Sequence, residues 1–244
     1  MPNISAAILA GGLGTRLQTV VSDRPKPLAQ VGDRPFVAYL LDQLCKVQIS
    51  QAVLCTGYLG EMIESYLGKS YRNLHLAYSQ EPVALGTAGA LGLALPLLNT
   101  QQVIVLNGDS HCDADIGELI STHRQWKSSI TMAVTFVADS SRYGTVILNN
   151  QAEITSFKEK GDQNGAGLIN AGIYVIDHRV ITGIPPGKKV SLEQDVFPQY
   201  VGHSLHGFLT EGCFIDIGIP MDYERAQIIL PARAINSFEG KRTP

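Results

Sequence analysis

The stretch Leu9–Pro27, LAGGLGTRLQTVVSDRPKP, decides how the rest of the chain is read. It follows an apolar run, Ala6 to Ala10, whose lack of polar alternation predicts a strand buried on both faces. Gly11, Gly12 and Gly14 come at once after it. Glycine has no Cβ and tolerates positive φ, so a chain leaving a strand through three of them can turn sharply and aim its N–H groups at an anion. Arg16 stands just beyond, with a planar fork that suits phosphate oxygens, and Lys26 is held between Pro25 and Pro27. A glycine turn followed by two cations points to polyphosphate.

Spacing excludes two common phosphate motifs. A Walker loop needs G-x-x-x-x-G-K-[ST], and no Lys followed by Ser or Thr stands at that spacing in this turn. A dinucleotide fingerprint needs a third glycine three residues after the second, and counted from Gly12 and Gly14 that place is Leu17. A plain strand-to-helix turn would account for the glycines but not for Arg16 and the Pro-Lys-Pro segment.

At 244 residues the chain can bury a sizeable core, and its 45% hydrophobic and 17% charged residues suit one compact α/β domain. A formal charge of −3 gives no electrostatic case for nucleic acid or an anionic membrane, so any anion must be bound locally. Cys45, Cys55, Cys112 and Cys213 show no C-x-x-C spacing, which favours reduced thiols in a cytoplasm. The first apolar run ends at Gly11 without a basic leader, so it reads neither as a signal peptide nor as a membrane span.

Further along, Phe36 to Val47 has apolar residues at helical spacing, Ala52 to Thr56 reads as a strand, Gly60 to Leu67 as a helix and Leu74 to Tyr78 as a strand. That order predicts parallel βαβ units. Gly86 to Ala90 open a helix with small residues only, either for close packing or to leave room beside a ligand. Val103 to Leu106 is a fourth strand, and Asn107, Gly108 and Asp109 end it where ligands bind in open α/β sheets. Ile116 to Trp126 reads as a helix and Ile130 to Val137 as a strand; Thr145 to Leu148 and Glu153 to Phe157 read as a hairpin. Leu168 to Ile176 is a buried run carrying Asn170, which needs a backbone or ligand partner. Ser191 to Val201 predicts a helix capped by Ser191, Phe214 to Gly218 a last strand carrying Asp216, and Met221 to about Ile229 a helix before a loose tail from Pro231. A buried Asp there must be paired or metal-bound. The run His111, Cys112, Asp113, Asp115 lacks a second ligand set, and His203 and His206 read as surface.

G-G-x-G-T-R-L followed by P-K-P resembles the opening of the sugar-1-phosphate nucleotidyltransferases, although Thr19 stands where that family more often has Pro. The resemblance implies that Leu9, Gly11, Gly12, Gly14, Thr15 and Arg16 bind the nucleotide and that Lys26 contacts phosphates. The L-G-T-A-G-A run implies that Gln80 or Glu81, with Gly86 and Thr87, touches the nucleoside. Family motifs Y-G, E-K and N-[AG]-G carry sugar-phosphate binding over to Gly144, Glu159, Lys160 and Asn170, and Asp109 with Asp216 would hold Mg²⁺. The implied fold is a single Rossmann-like domain with a mostly parallel mixed sheet, helices on both faces and a small β-hairpin insertion for the sugar. Residues 1–230 would form the catalytic domain and 231–244 a tail, without the β-helix extension of many relatives.

The implied reaction joins an NTP and a sugar 1-phosphate, with Arg16, Lys26 and Asp109 as catalytic residues. R-Y-G-T-V, S-F-K-E-K, G-L-I-N-A-G-I-Y, S-L-E and F-I-D-I-G-I-P-M-D-Y are together similar to the D-glycero-α-D-manno-heptose 1-phosphate guanylyltransferases, which favours GTP and a route to surface polysaccharide. Mannose-1-phosphate guanylyltransferases and enzymes using UTP or dTTP share much of this set. A non-catalytic nucleotide-sugar-binding regulator, or a glycosyltransferase using Asp113-Ala114-Asp115 as a D-x-D motif, are the other readings. Whether the chain works as a homo-oligomer is left open by its sequence.

Overall fold

The strand before the glycine turn spans Ile4–Ala10 (β1) and lies inside the main sheet. The computed structural model describes residues 4–158 and 165–239. Two short strands, Gln30–Val31 (β2) and Arg34–Pro35 (β3), pair as a hairpin. They lead into Phe36–Lys46 (α1), Gln51–Thr56 (β4), Gly60–Leu67 (α2), Ser70–Tyr71 (β5) and Leu74–Gln80 (β6). Gly86–Ala94 (α3) and Gln102–Asn107 (β7) follow. β1 is parallel to β4 on one side and to β7 on the other, and β4 is parallel to β6, which gives the βαβ units that the periodicity predicts.

β1, β4 and β7 are covered on both faces. Ala6, Ile8, Leu54, Ile104 and Leu106 belong to one core, filled by Phe36, Leu40 and Leu44 of α1 and Ile63 of α2. Ala7, Val53, Cys55, Val103 and Val105 belong to the other, filled by Ala90, Leu91 and Ala94 of α3. Apolar residues on both faces explain why these strands read as continuous runs.

Ser110–Cys112 (β8), Ile116–Trp126 (α4), Ile130–Val137 (β9), Thr145–Leu148 (β10) and Ile154–Lys158 (β11) come next. β10 and β11 form the expected antiparallel hairpin. Gly167–Asp177 (β12) runs antiparallel to β7, β9 and β10 and so joins that hairpin to the parallel strands. A short helix, His178–Thr182 (α5), follows it. The main sheet has ten strands among the described residues, in the order β11-β10-β12-β7-β1-β4-β6-β5, with β9 beside β12. Its outermost partner to β9 is Leu205–Thr210 (β13), parallel to it. This strand was not expected, because His206 and Gly207 interrupt its apolar pattern.

Three other expectations need correction. The segment after Ser191 is a π-helical turn over Leu192–Val196 and a 3₁₀ turn over Phe197–Gln199, because Pro198 has no N–H to continue an α-helix. Ser191 does cap it, its Oγ accepting from Glu193 N at 3.1 Å and Gln194 N at 3.2 Å. Phe214–Asp216 (β14) leaves the main sheet and pairs with β8 in a separate ribbon. Finally, Pro220–Glu239 (α6) continues through Pro231 as helix where a loose tail was expected. Tertiary contacts hold it: Gln227 Oε1 accepts from Gly32 N at 2.9 Å, and Gln227 Nε2 donates to Gln30 O at 2.6 Å. Such anchoring overrides a proline's local cost.

Candidate active site

A cavity of about 450 Å³ opens at the carboxyl ends of β1 and β7. That is the crevice where parallel α/β sheets bind ligands, and the volume suits a small organic molecule. The glycine turn forms one lip, with Gly14 at φ +62° and Leu17 N donating to Gly14 O at 2.9 Å. Leu17, 1% exposed, pins the turn to the core and leaves Arg16 on the outside, lining the cavity.

At Gly108 the end of β7 crosses close to β1. Its N–H donates to Leu9 O at 2.9 Å, and a Cβ there would stand 2.5 Å from the same oxygen. Only glycine permits this approach, and it sets Asp109 on the cavity wall. Lys26 Nζ donates to Asp109 Oδ2 at 2.8 Å, with side-chain exposures of 11% and 42%. The β8–β14 ribbon brings the second acid beside the first. Asp216 pairs with Ser110 across the ribbon, Ile217 N donates to Asp109 O at 2.9 Å, and both carboxylates line the one cavity. Asp216 Oδ1 accepts from Gly218 N.

Leu9, Gly11, Gly12, Gly14, Arg16, Lys26, Gly86, Thr87, Gly144 and Asn170 also line it. Thr15 is exposed and is not among the lining residues. Of the two candidates for the nucleoside, Glu81 lines this cavity while Gln80 is exposed on an adjoining groove. Glu81 Oε2 accepts from Leu85 N at 2.6 Å, and burial raises the carboxyl's pKa against that bond. Glu159 and Lys160 lie outside the described residues.

Asn170 has partners within the protein. Its Oδ1 accepts from Gly172 N at 2.9 Å and its Nδ2 donates to Tyr174 Oη at 2.8 Å. The register of β12 shifts between Asn170 and Tyr174, where Gly172 has φ +76°, so the amide sits on a bulge that turns it to the cavity. Thr87 is also engaged, its Oγ1 donating to Glu193 Oε2 at 2.8 Å. Its hydroxyl proton is therefore not available to a nucleoside.

Sequence reasoning placed Asn107 at the ligand-binding strand end without a role and missed Ser110, Tyr143 and Phe214; all four complete the walls. Buried Asn107 Oδ1 and Ser110 Oγ have no hydrogen-bond partner among the described residues, so this wall holds unused polar capacity. Nothing local marks Ser110, since β8 is too short to show a pattern. Cys55 lies in the same cavity, but burial pushes its thiol up to about 12, which keeps it neutral.

The nucleotidyl transferase family profile matches residues 5–232. The chain belongs to the nucleotidyl transferase family. Over 225 residues it is 38% identical to a D-glycero-alpha-D-manno-heptose 1-phosphate guanylyltransferase of Aneurinibacillus thermoaerophilus, covering 92% of this chain and 97% of that one. A protein of the same description from Campylobacter jejuni is 34% identical, covering 90% and 97%. Among solved structures, HddC from Yersinia pseudotuberculosis superposes with a TM-score of 0.81 at 34% identity, covering 91% of this chain and 97% of that chain. The nucleotidyl transferase fold accounts for the mixed sheet and its appended hairpin, as the sequence led one to expect.

Proposed function

We propose that the protein is a sugar-1-phosphate guanylyltransferase, which joins GTP and D-glycero-α-D-manno-heptose 1-phosphate, releases pyrophosphate and supplies surface polysaccharide synthesis from the cytoplasm. One observation carries the reading. The glycine turn, Arg16, Lys26 and two acids, which lie far apart in sequence, share one cavity with Gly144 and Asn170. The names of the Aneurinibacillus and Campylobacter relatives supply the guanine and the heptose, and a Yersinia HddC structure is described as complexed with GMP-PN. Among the described residues no helix is long and apolar enough to cross a membrane.

The nucleophile is a phosphate oxygen of the sugar 1-phosphate. A phosphate monoester has its second pKa at about 6, so it is already mostly ionised at neutral pH and needs no general base. The obstacle is the approach of two anions. Arg16 and the backbone N–H groups of the glycine turn take the leaving pyrophosphate. Lys26, now neutralised by Asp109, is positioned to serve the reacting phosphates, and Lys160 serves the sugar phosphate.

The donor set suits magnesium. Asp109 and Asp216 are hard oxygen donors on one wall, and no group of three or more possible protein ligands occurs among the described residues. Phosphate oxygens and water would complete the sphere, as is usual for this ion. When bound there it supplies charge neutralisation and alignment of the phosphates.

Pyrophosphate release, measured for GTP, UTP, dTTP and ATP against heptose and hexose 1-phosphates with Mg²⁺, tests the proposal. GTP with the heptose phosphate should be the best pair; no release from any pair overturns the reading. Mannose 1-phosphate is the second candidate. It is favoured by 34% identity to a mannose-1-phosphate guanylyltransferase catalytic subunit beta of Dictyostelium discoideum, 90% of this chain matching 62% of that protein.

A further inference from the structure

Glu193 carries a carboxylate into the cavity that the mechanism above leaves unused. It lies in the π-helical turn after Ser191. Its Oε2 accepts from Thr87 Oγ1 at 2.8 Å and from Ser191 Oγ at 2.8 Å, and Thr87 Oγ1 accepts in turn from Leu192 N at 2.7 Å. Two donors on one oxygen fix the plane of the group. Oε1 receives no hydrogen bond from the described residues.

An ionised carboxylate oxygen only accepts, so its proper neighbour in a ligand is a donor. Phosphate oxygens are acceptors and would be repelled. Among the parts of the two substrates, the donors are the hydroxyls of the sugar ring, the hydroxyls of the ribose, and the N1–H and amino group of guanine. The surroundings favour the sugar. Glu193 acts electrostatically on the buried phenol of Tyr174, to which Asn170 donates at 2.8 Å. Asn170 N in turn donates to Gly144 O at 2.9 Å. Glu193 thus stands between Thr87, at the start of α3, and the Asn170–Tyr174 pair of β12.

We propose that Glu193 Oε1 accepts a hydrogen bond from a ring hydroxyl of the sugar 1-phosphate and selects sugars that present a hydroxyl at that place. The inference rests on the sugar-phosphate reading of this cavity. Thr87 and Ser191 act as positioning residues that hold the acceptor still. A freely turning carboxylate would serve several hydroxyls; a fixed one discriminates.

The test uses Glu193→Gln, which keeps the shape and removes the charge, and Glu193→Ala. It also uses the heptose or mannose 1-phosphate and its single-deoxy analogues. Loss of a hydrogen bond to a charged group should raise KM for the sugar phosphate roughly 10- to 100-fold, with KM for GTP almost unchanged. One deoxy analogue should lose the same factor with the wild-type protein and lose nothing further with Glu193→Gln. A rise confined to KM for GTP would move the contact to the nucleoside, ribose or base, and overturn the proposal. Equal losses for every analogue, or a lower melting temperature with unchanged KM, would overturn it too. If the wild-type protein releases no pyrophosphate, the function reading fails by itself. Calorimetric binding of the sugar 1-phosphate to wild type and Glu193→Gln then still decides the role of Glu193.

Discussion

Lys26→Met separates structural from chemical use of the Lys26–Asp109 pair. At 2.8 Å, Coulomb attraction is about 6 kcal/mol at an effective dielectric of about 20 and about 1.5 kcal/mol in water. Neither figure is a net gain, because the largely buried ammonium has lost hydration and the acid, 42% exposed, keeps much of its own. A partly exposed pair nets about 1 kcal/mol, which for a domain of this size lowers Tm by about 2–4 °C. The chemical loss should be far larger. Removing one preorganised donor from a transition state costs about 10²- to 10³-fold in rate. Thermal melting beside kcat/KM from pyrophosphate release measures both quantities on one preparation. A large drop in Tm with kcat/KM unchanged would refute the reasoning and make the pair a structural bridge.

Asp216→Asn keeps an acceptor for Gly218 N but removes a charge, so half-maximal rate should need more Mg²⁺; a magnesium titration that superposes on wild type would exclude Asp216 from the metal site. Gly108→Ala places a Cβ 2.5 Å from Leu9 O, backbone against backbone. It should lower stability by about 1–3 kcal/mol in denaturant unfolding and lower kcat by shifting Asp109. His123 is 1% exposed, and burial holds its imidazole below the ordinary pKa against the opposing pull of Asp177. The folded state therefore binds fewer protons than the unfolded chain, so this contribution is whole above about pH 6.5 and is lost as pH falls below it. His123→Gln should flatten the acid side of the melting-temperature profile; an unchanged slope would assign that side to other groups.

The parallel half of the fold, and the glycine-turn side of the cavity, are legible in the residues alone. Continuous apolar runs from Ala6, Ala52 and Val103, with an amphipathic helix between the first two, admit few other arrangements. The glycine turn, Arg16 and Lys26 are close enough in the chain for spacing alone to join them. The remainder arises only as distant segments pack together. Asp109 and Asp216 meet only because β14 leaves the sheet to pair with β8, a contact between segments too short to carry a pattern. Glu81 was separated from Gln80 only by which of them lines the cavity. Thr87 and Glu193, 106 residues apart, form a hydrogen bond that no local rule contains. Periodicity reports which face of an element is buried. Which distant side chains converge on a ligand depends on how the faces pack, and that is a property of the assembled chain.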